Sequence, residues 1–252
     1  MKTRLDKLLL EQGLVPSRER AQALILAGRV LVDEQKIGKP GAAIEDTSVL
    51  RVLGDEPRYV SRGGLKLEAA LTHWQINLTA RHCADIGAST GGFTDCMLQH
   101  HAASVTAVDT GYGQIAEALR RDPRLTLLER TNARYLQPGD LPAAITFVSM
   151  DVSFISATLV LPAVIAAVRN PHSACDAVVL VKPQFEAGRE HIGKGGIVHD
   201  PAAHQCAIAR VREAVHHLGA TESDIIPSPI LGGGGAGKGN REFLLYARFP
   251  PV

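Results

Sequence analysis

The chain has 252 residues, 45% of them apolar and 21% charged, with a formal net charge of +1. That is a globular composition, long enough for one or two domains; it excludes a disordered chain, and no uncharged apolar run is long enough to cross a bilayer. The four cysteines, at 83, 96, 175 and 206, are too scattered for a Cys-x-x-Cys metal pair or a disulfide framework, so no metal is expected.

At the start, MKTRLDKLLLEQG has basic residues and three leucines, but Asp6, Lys7 and Glu11 interrupt any signal-peptide core. A cytoplasmic protein with no membrane partner is expected. Thr3 with Asp6 three positions on predicts a capped helix with Leu5, Leu8 and Leu9 on its apolar face and Gly13 as its stop. A second helix follows, capped by Ser17, buried through Ala21, Leu24 and Ile25, and stopped at Gly28. Short strands at 30–32 and 49–53 flank the turn-rich KIGKPG. From residue 2 to residue 30 there are six basic and three acidic residues, a local excess of +3, and Arg4 and Lys7 share a helix face by i, i+3 spacing. Residues 1–58 therefore read as a small α+β domain, and residues 59–252 as a second domain.

Beyond the polar junction GDEPRYVSRGG, apolar runs in CADIG, SVTAVD, LTLLE, AITFVSMD and DAVVLVKP alternate with helix-like segments such as 114–121 and 154–169. Such alternation predicts a mostly parallel sheet covered on both faces. Two closing strands, near 224–229 and 242–249, have no room for a helix between them and should pair antiparallel. A sheet of this kind binds ligands at the carboxyl ends of its strands. Residues 57–61, between the two modules, are expected to act as a hinge.

DIGASTGGFTD follows the first of these strands. Its spacing, D-x-G-x-x-x-G-G, is not the G-x-G-x-x-G of a pyrophosphate site. Asp85 at the strand end would repel phosphate but attract a cationic amine, and Asp109, ending the next strand, stands where an acid accepts hydrogen bonds from ribose. An amine, a ribose and no phosphate describe S-adenosylmethionine. The glycines at 87, 91 and 92 could instead merely permit a tight turn. GGGGAGK, at 232–238, fits part of a P-loop, but Gly239 offers no hydroxyl to a magnesium ion and the stretch runs into the strand-like EFLLYARF, so a triphosphatase is excluded.

Four ionisable residues fall where the sheet would present them to a substrate: Lys66 early in the helix of SRGGLKLEAAL, at the edge of its apolar stripe, Asp151 after FVSM, Lys182 after VVLV, and Glu242 at the start of the last strand. A lysine desolvated after a strand, with a second ammonium nearby, is disposed to act as a general base, and the two acids would position and balance the lysines. Its proton would come from a ribose 2′-hydroxyl, a poor nucleophile until deprotonated. Each of the four, taken alone, could equally be an ordinary surface ion pair.

RLDKLL and PSRERAQALILAGRVLV, followed by SRGGLKL, DIGASTGGFTD, MDVSFIS, LVKPQFE, GKGGIV and GNREF, resemble the haemolysin-A-like TlyA family of ribosomal RNA 2′-O-methyltransferases along almost the whole chain. The resemblance implies an N-terminal RNA-binding domain like that of ribosomal protein S-four and a Rossmann-like, FtsJ-type methyltransferase domain with an antiparallel last strand. It implies a catalytic tetrad of Lys66, Asp151, Lys182 and Glu242. The implied cofactor residues are Asp85, Gly87, Ala88, Ser89, Gly91, Gly92, Phe93, Asp109 and Asn132. Arg4, Lys7, Arg18 and Arg20 would meet RNA phosphates. The implied substrate is a cytidine in ribosomal RNA, free or within a subunit. Three other readings stand beside it: the same cofactor with a small-molecule acceptor, an RNA-binding assembly factor with a vestigial methyltransferase fold, and a pore-former, for which neither a spanning segment nor a strongly amphipathic basic helix is present.

Overall fold

In the computed structural model, which describes residues 2–53, 57–233 and 239–252, the chain divides into two units, Met1–Glu56 and Pro57–Val252.

The first unit contains β1 (Lys2–Arg4), α1 (Leu5–Glu11), α2 (Arg18–Leu26), β2 (Val30–Val32), β3 (Gln35–Lys36), β4 (Ala43–Glu45) and β5 (Leu50–Val52). Leu5 and Leu9 of α1, Ala21, Leu24 and Ile25 of α2, and Val30 and Val32 of β2 close one apolar core. Ser17 Oγ accepts from the Arg20 amide and caps α2, as its position before the apolar stripe predicts. Gly13 and Gly28 follow the two helices with φ of +67° and +66°, the left-handed conformation that a helix stop needs. The strands pair antiparallel, β2 between β3 and β5, and β1 with β4.

Two expectations fail here. Thr3 lies in β1 and caps nothing; α1 starts after Arg4 and has no side-chain cap. Arg4 is therefore not on a helix face with Lys7. Asp6 is instead fully buried and gathers its neighbours: Arg4 Nε and Nη2 donate to its two oxygens at 3.0 Å, and Arg18 Nε and Gln22 Nε2 each donate at 2.9 Å. A buried carboxylate needs such donors, and the Arg4 bond, ahead of the others, holds its pKa far below the ordinary carboxylate range.

The second unit is a seven-stranded sheet in the order β11-β12-β10-β9-β6-β7-β8. Its strands are β6 (His82–Ile86), β7 (Ser104–Val108), β8 (Leu125–Leu128), β9 (Ile145–Met150), β10 (Cys175–Val181), β11 (Glu222–Pro227) and β12 (Phe243–Phe249). All neighbours are parallel except β12, which is antiparallel to both β10 and β11. The helices are α3 (Gly63–His73), α4 (Gly92–Gln99), α5 (Glu117–Arg120), α6 (Leu161–Val168), α7 (Pro183–Glu186) and α8 (Pro201–His217). Continuous burial along β6, β7, β9 and β10 follows from apolar clusters on both faces of the sheet.

Helices predicted at 114–121 and 154–169 are shorter than their periodicity implied. The first is reduced to α5, because Gly111 and Gly113 belong to a turn held by Asp109 and Glu129. In the second, Phe154 sits at φ +65° and a 3-10 turn over Ala157–Leu159 precedes α6. Residues 57–61, expected as a hinge, are built into the second unit: Tyr59 is buried, the Val60 amide donates to Asp95 Oδ2 at 2.7 Å, and Gln99 donates to Arg58 O at 2.9 Å. Of the glycine run at 232–238, residues 234–238 lie outside the described residues; the segment that follows enters β12, as its sequence indicates.

Candidate active site

The sheet order reverses between β6 and β9; α4, which follows β6, packs in the apolar cluster on one face and α6, which follows β9, in the cluster on the other, and this divergence is where an open α/β sheet leaves a crevice. Ile86, Val108 and Met150 are in register across β7, β6 and β9, so Gly87, Asp109 and Asp151 emerge together one residue later. Lys182 follows β10 directly. Parallel pairing alone brings these four residues, far apart in sequence, to one sheet edge.

Gly87 has φ +84°, and a Cβ there would lie 2.6 Å from the Asp151 carbonyl oxygen. No other residue allows that approach of the two loops. Gly92 serves packing instead: a Cβ would lie 2.2 Å from Ser61 Oγ and 3.0 Å from the Gly64 amide, so its absence lets the start of α3 close on α4. Ser89, at φ +48°, is held by its amide donating to Asp109 Oδ2 at 2.7 Å. Asp109 Oδ1 accepts from the Gly111 amide at 2.7 Å.

Two adjoining cavities open over this edge. One, of about 290 Å³, is lined by Lys66, Ala88, Gly92, Phe93 and Lys182, with Leu231 and Gly232 on its far wall. The other, of about 320 Å³, is lined by Asp109, Asn132, Thr131 and Gln114 on a polar side and by Val152, Ile155 and Val160 on an apolar one. Gly87, Ser89, Asp151 and Ser153 line both. Asn132 Oδ1 also accepts from the Arg134 amide, which fixes the side chain at the mouth.

The ionisable residues occur as two pairs. Lys66 Nζ donates to Glu242 Oε2 at 2.5 Å, with only 10% and 3% of the two side chains exposed. Lys66 is thus buried, not at the edge of the α3 stripe where it was expected. Lys182 Nζ lies 2.6 Å from Asp151 Oδ1 and donates to Ser153 Oγ at 2.6 Å. Glu242 stays out of the cavities and reaches them through Lys66; Gly232 leaves it room, since a Cβ there would lie 1.8 Å from Glu242 Oε1.

Asp85, expected to contact an amine, faces the interior. It is fully buried and lines neither cavity; Thr94 Oγ1 and Ser149 Oγ donate to its two oxygens at 2.6 and 3.2 Å. Burial, the largest influence, pushes its pKa up to about 7. Gly91 likewise lines neither cavity; it packs beneath Leu119 at φ +95°.

Ser153 and the exposed Phe154, which stands at the lip of the second cavity 5.7 Å from Phe185, were not singled out in the sequence. MDVSF places them just beyond Asp151, the one signal that could have found them. In the first unit Lys7 is exposed and Arg20 half-buried, while Arg4 and Arg18 have part of their donor capacity committed to Asp6. Among the described residues no cluster could hold a metal ion, and no helix is long and apolar enough to cross a membrane.

Residues 59–249 match the FtsJ-like methyltransferase family and residues 3–48 the S4 domain. "Putative rRNA methyltransferase YqxC" of Bacillus subtilis is 47% identical, covering 99% of this chain and 86% of the relative. "16S/23S rRNA (cytidine-2'-O)-methyltransferase TlyA" of Mycobacterium tuberculosis is 43% identical, covering 98% of this chain and 90% of the relative. A solved structure, "Putative hemolysin from Streptococcus thermophilus", superposes with a TM-score of 0.72 at 42% identity, covering 99% of this chain and 89% of the other.

Proposed function

Because the chain belongs to the FtsJ-like methyltransferase family and carries an S4 domain, we propose that it transfers the methyl group of S-adenosylmethionine to the 2′-hydroxyl of a cytidine in ribosomal RNA. The relatives at 43–47% identity bear the names of ribosomal RNA methyltransferases, one of them cytidine-2′-O-specific. The observation that carries the reading is the position of Lys182: it lines the first cavity, beside Asp151 and Ser153, two of the four residues that line both cavities.

The cavities fit the cofactor. Their volumes fall in the range of small-molecule sites, one wall of the second is apolar as a purine requires, and Asp109 presents a carboxylate there. Asp109, Asn132, Gly87, Ala88 and Ser89 would hold it, with Gly92 and Phe93 at the polar end. When bound, S-adenosylmethionine supplies an electrophilic methyl group. Asp85 supports the loop from beneath by fixing α4 to β6 through Thr94.

The protein's own contribution is placement and proton removal. Lys182, as the free amine, takes the proton from the ribose 2′-hydroxyl as the oxygen attacks. Asp151 balances the ammonium that results. Lys66, held by Glu242, keeps a fixed positive charge beside the acceptor oxygen, where negative charge develops. Arg4, Lys7, Arg18 and Arg20 of the first unit would meet RNA phosphates, which sets affinity and its salt dependence without reading sequence.

Calorimetry with S-adenosylmethionine, followed by transfer of its labelled methyl group to ribosomal subunits, to free ribosomal RNA and to a metabolite extract, tests this. Label in RNA is expected. Label in small molecules only would assign a different acceptor, and no uptake of the donor would leave an assembly factor with a vestigial fold.

A further inference from the structure

We propose that Ser153 is a positioning residue for the general base: it fixes the direction in which the Lys182 head group presents its lone pair. The inference rests on the proposed function and adds a residue outside the four charged ones.

A lysine nitrogen is tetrahedral and bears its own Cε on one direction. One of the remaining three donates to Ser153 Oγ at 2.6 Å. Asp151 Oδ1 is equally close, at 2.6 Å, but takes no hydrogen bond there. The directions left serve the first cavity, which Lys182 itself lines. In the free amine one of them holds the lone pair, and a 2′-hydroxyl can surrender its proton only along it. With Asp151 alone the head group could rotate about its Cε–Nζ bond and carry the lone pair away, since a single ion pair restrains distance more than orientation. Ser153 removes that freedom. Its hydroxyl accepts from Nζ in either protonation state.

The serine is in turn held in place. Its loop is tied to the segment after Lys182 at a second point, where Glu186 accepts from Ser156 Oγ at 2.5 Å and from the Ala157 amide at 2.6 Å. Glu186 is buried and three residues beyond α7's first. The loop after β9 and the turn after β10 are thus joined at Ser153–Lys182 and again at Ser156–Glu186, and the base cannot move independently of the loop that lines both cavities.

The test has two arms, on the full chain. In the first, single-turnover methylation of ribosomal RNA is measured for Ser153→Ala and Ser153→Thr with donor and RNA saturating. The alanine variant is expected to lose about 10- to 100-fold in rate, with donor Kd and RNA KM within twofold of the wild type, and the threonine variant, which restores a hydroxyl, to recover most of it. In the second arm, side-chain carbon relaxation of lysine-labelled protein without donor is measured; Lys182 is expected to lose order in Ser153→Ala and to regain it in Ser153→Thr. An unchanged rate in Ser153→Ala beside an active wild type overturns the proposal, as does a donor Kd that weakens in step with the rate, or a Lys182 that keeps its order. If the wild type transfers no methyl group to RNA, the proposed function fails, and the relaxation arm still decides whether Ser153 orders the lysine.

Discussion

Lys182 Nζ stands 2.6 Å from Asp151 Oδ1, although the two residues follow different strands and are brought together only by the parallel pairing of β9 with β10. On the proposed reading, the methyl transfer depends on Lys182 and donor binding does not. Lys182→Ala is expected to cut the single-turnover rate by roughly 10²–10⁴-fold while leaving donor affinity within a few-fold. Rate and calorimetric Kd, measured on the same preparation, check the split.

Lys66 and Glu242 form the more deeply buried pair, and removing one partner strands a charge. Glu242→Gln should lower stability by about 3–5 kcal/mol. Replacing both, Lys66→Met with Glu242→Leu, should return much of the stability but not the activity. Urea melts of the two variants and the wild type measure this; equal midpoints for Glu242→Gln and the wild type would mean that the pair does not hold the fold.

Asp109 uses both oxygens to hold the Ser89 and Gly111 amides, so it shapes the cofactor loop as well as facing the second cavity. Asp109→Ala should weaken donor binding by about 10- to 100-fold, the worth of one charged hydrogen bond. The rate at saturating donor should fall much less. A titration of donor in the methylation assay separates the two quantities.

Asp85 and Asp6 give the two units opposite responses to pH. The folded chain keeps a proton on Asp85 up to about pH 7, where the unfolded chain has already released it near pH 4. Unfolding free energy should therefore fall as pH rises from about 4 to about 7, by up to roughly 4 kcal/mol from this group. Asp85→Asn should flatten that slope. For Asp6, held ionised by Arg4 first and then by Gln22 and Arg18, the sign is reversed: its contribution is present above about pH 4 and is lost as pH falls below it. Urea melts across pH 3 to 8, followed by probes in each unit, should show both trends.

Much of this site was legible in the sequence because its parts end strands. Asp109, Asp151 and Lys182 each follow an apolar run, and a parallel sheet gathers such positions at one edge whatever lies between them. Ser17, Gly13 and Gly28 could be read locally for the same reason, since caps and stops depend on a few neighbouring residues. Asp6 was misread because two of its donors come from 12 and 16 residues away, at Arg18 and Gln22, and local spacing favoured a helix cap. The pairing of Lys66 with Glu242, 176 residues apart, and the closeness of Gly92 to Ser61 are likewise products of packing. Asp85 looked like a ligand-facing acid from its place at a strand end. The direction of its side chain, decided by the alternation along β6 and by Thr94 beneath it, was not visible there.

The central claim is that Lys182 removes the proton of a ribose 2′-hydroxyl beside a bound methyl donor. Mapping 2′-O-methyl groups on ribosomal RNA after incubation with donor and either the wild type or Lys182→Ala tests it most directly. The account predicts a cytidine that gains resistance to alkaline cleavage with the wild type and stays unmodified with the variant, although both bind the donor. Methylation of a base instead of a ribose, or an equal yield from Lys182→Ala, would contradict it.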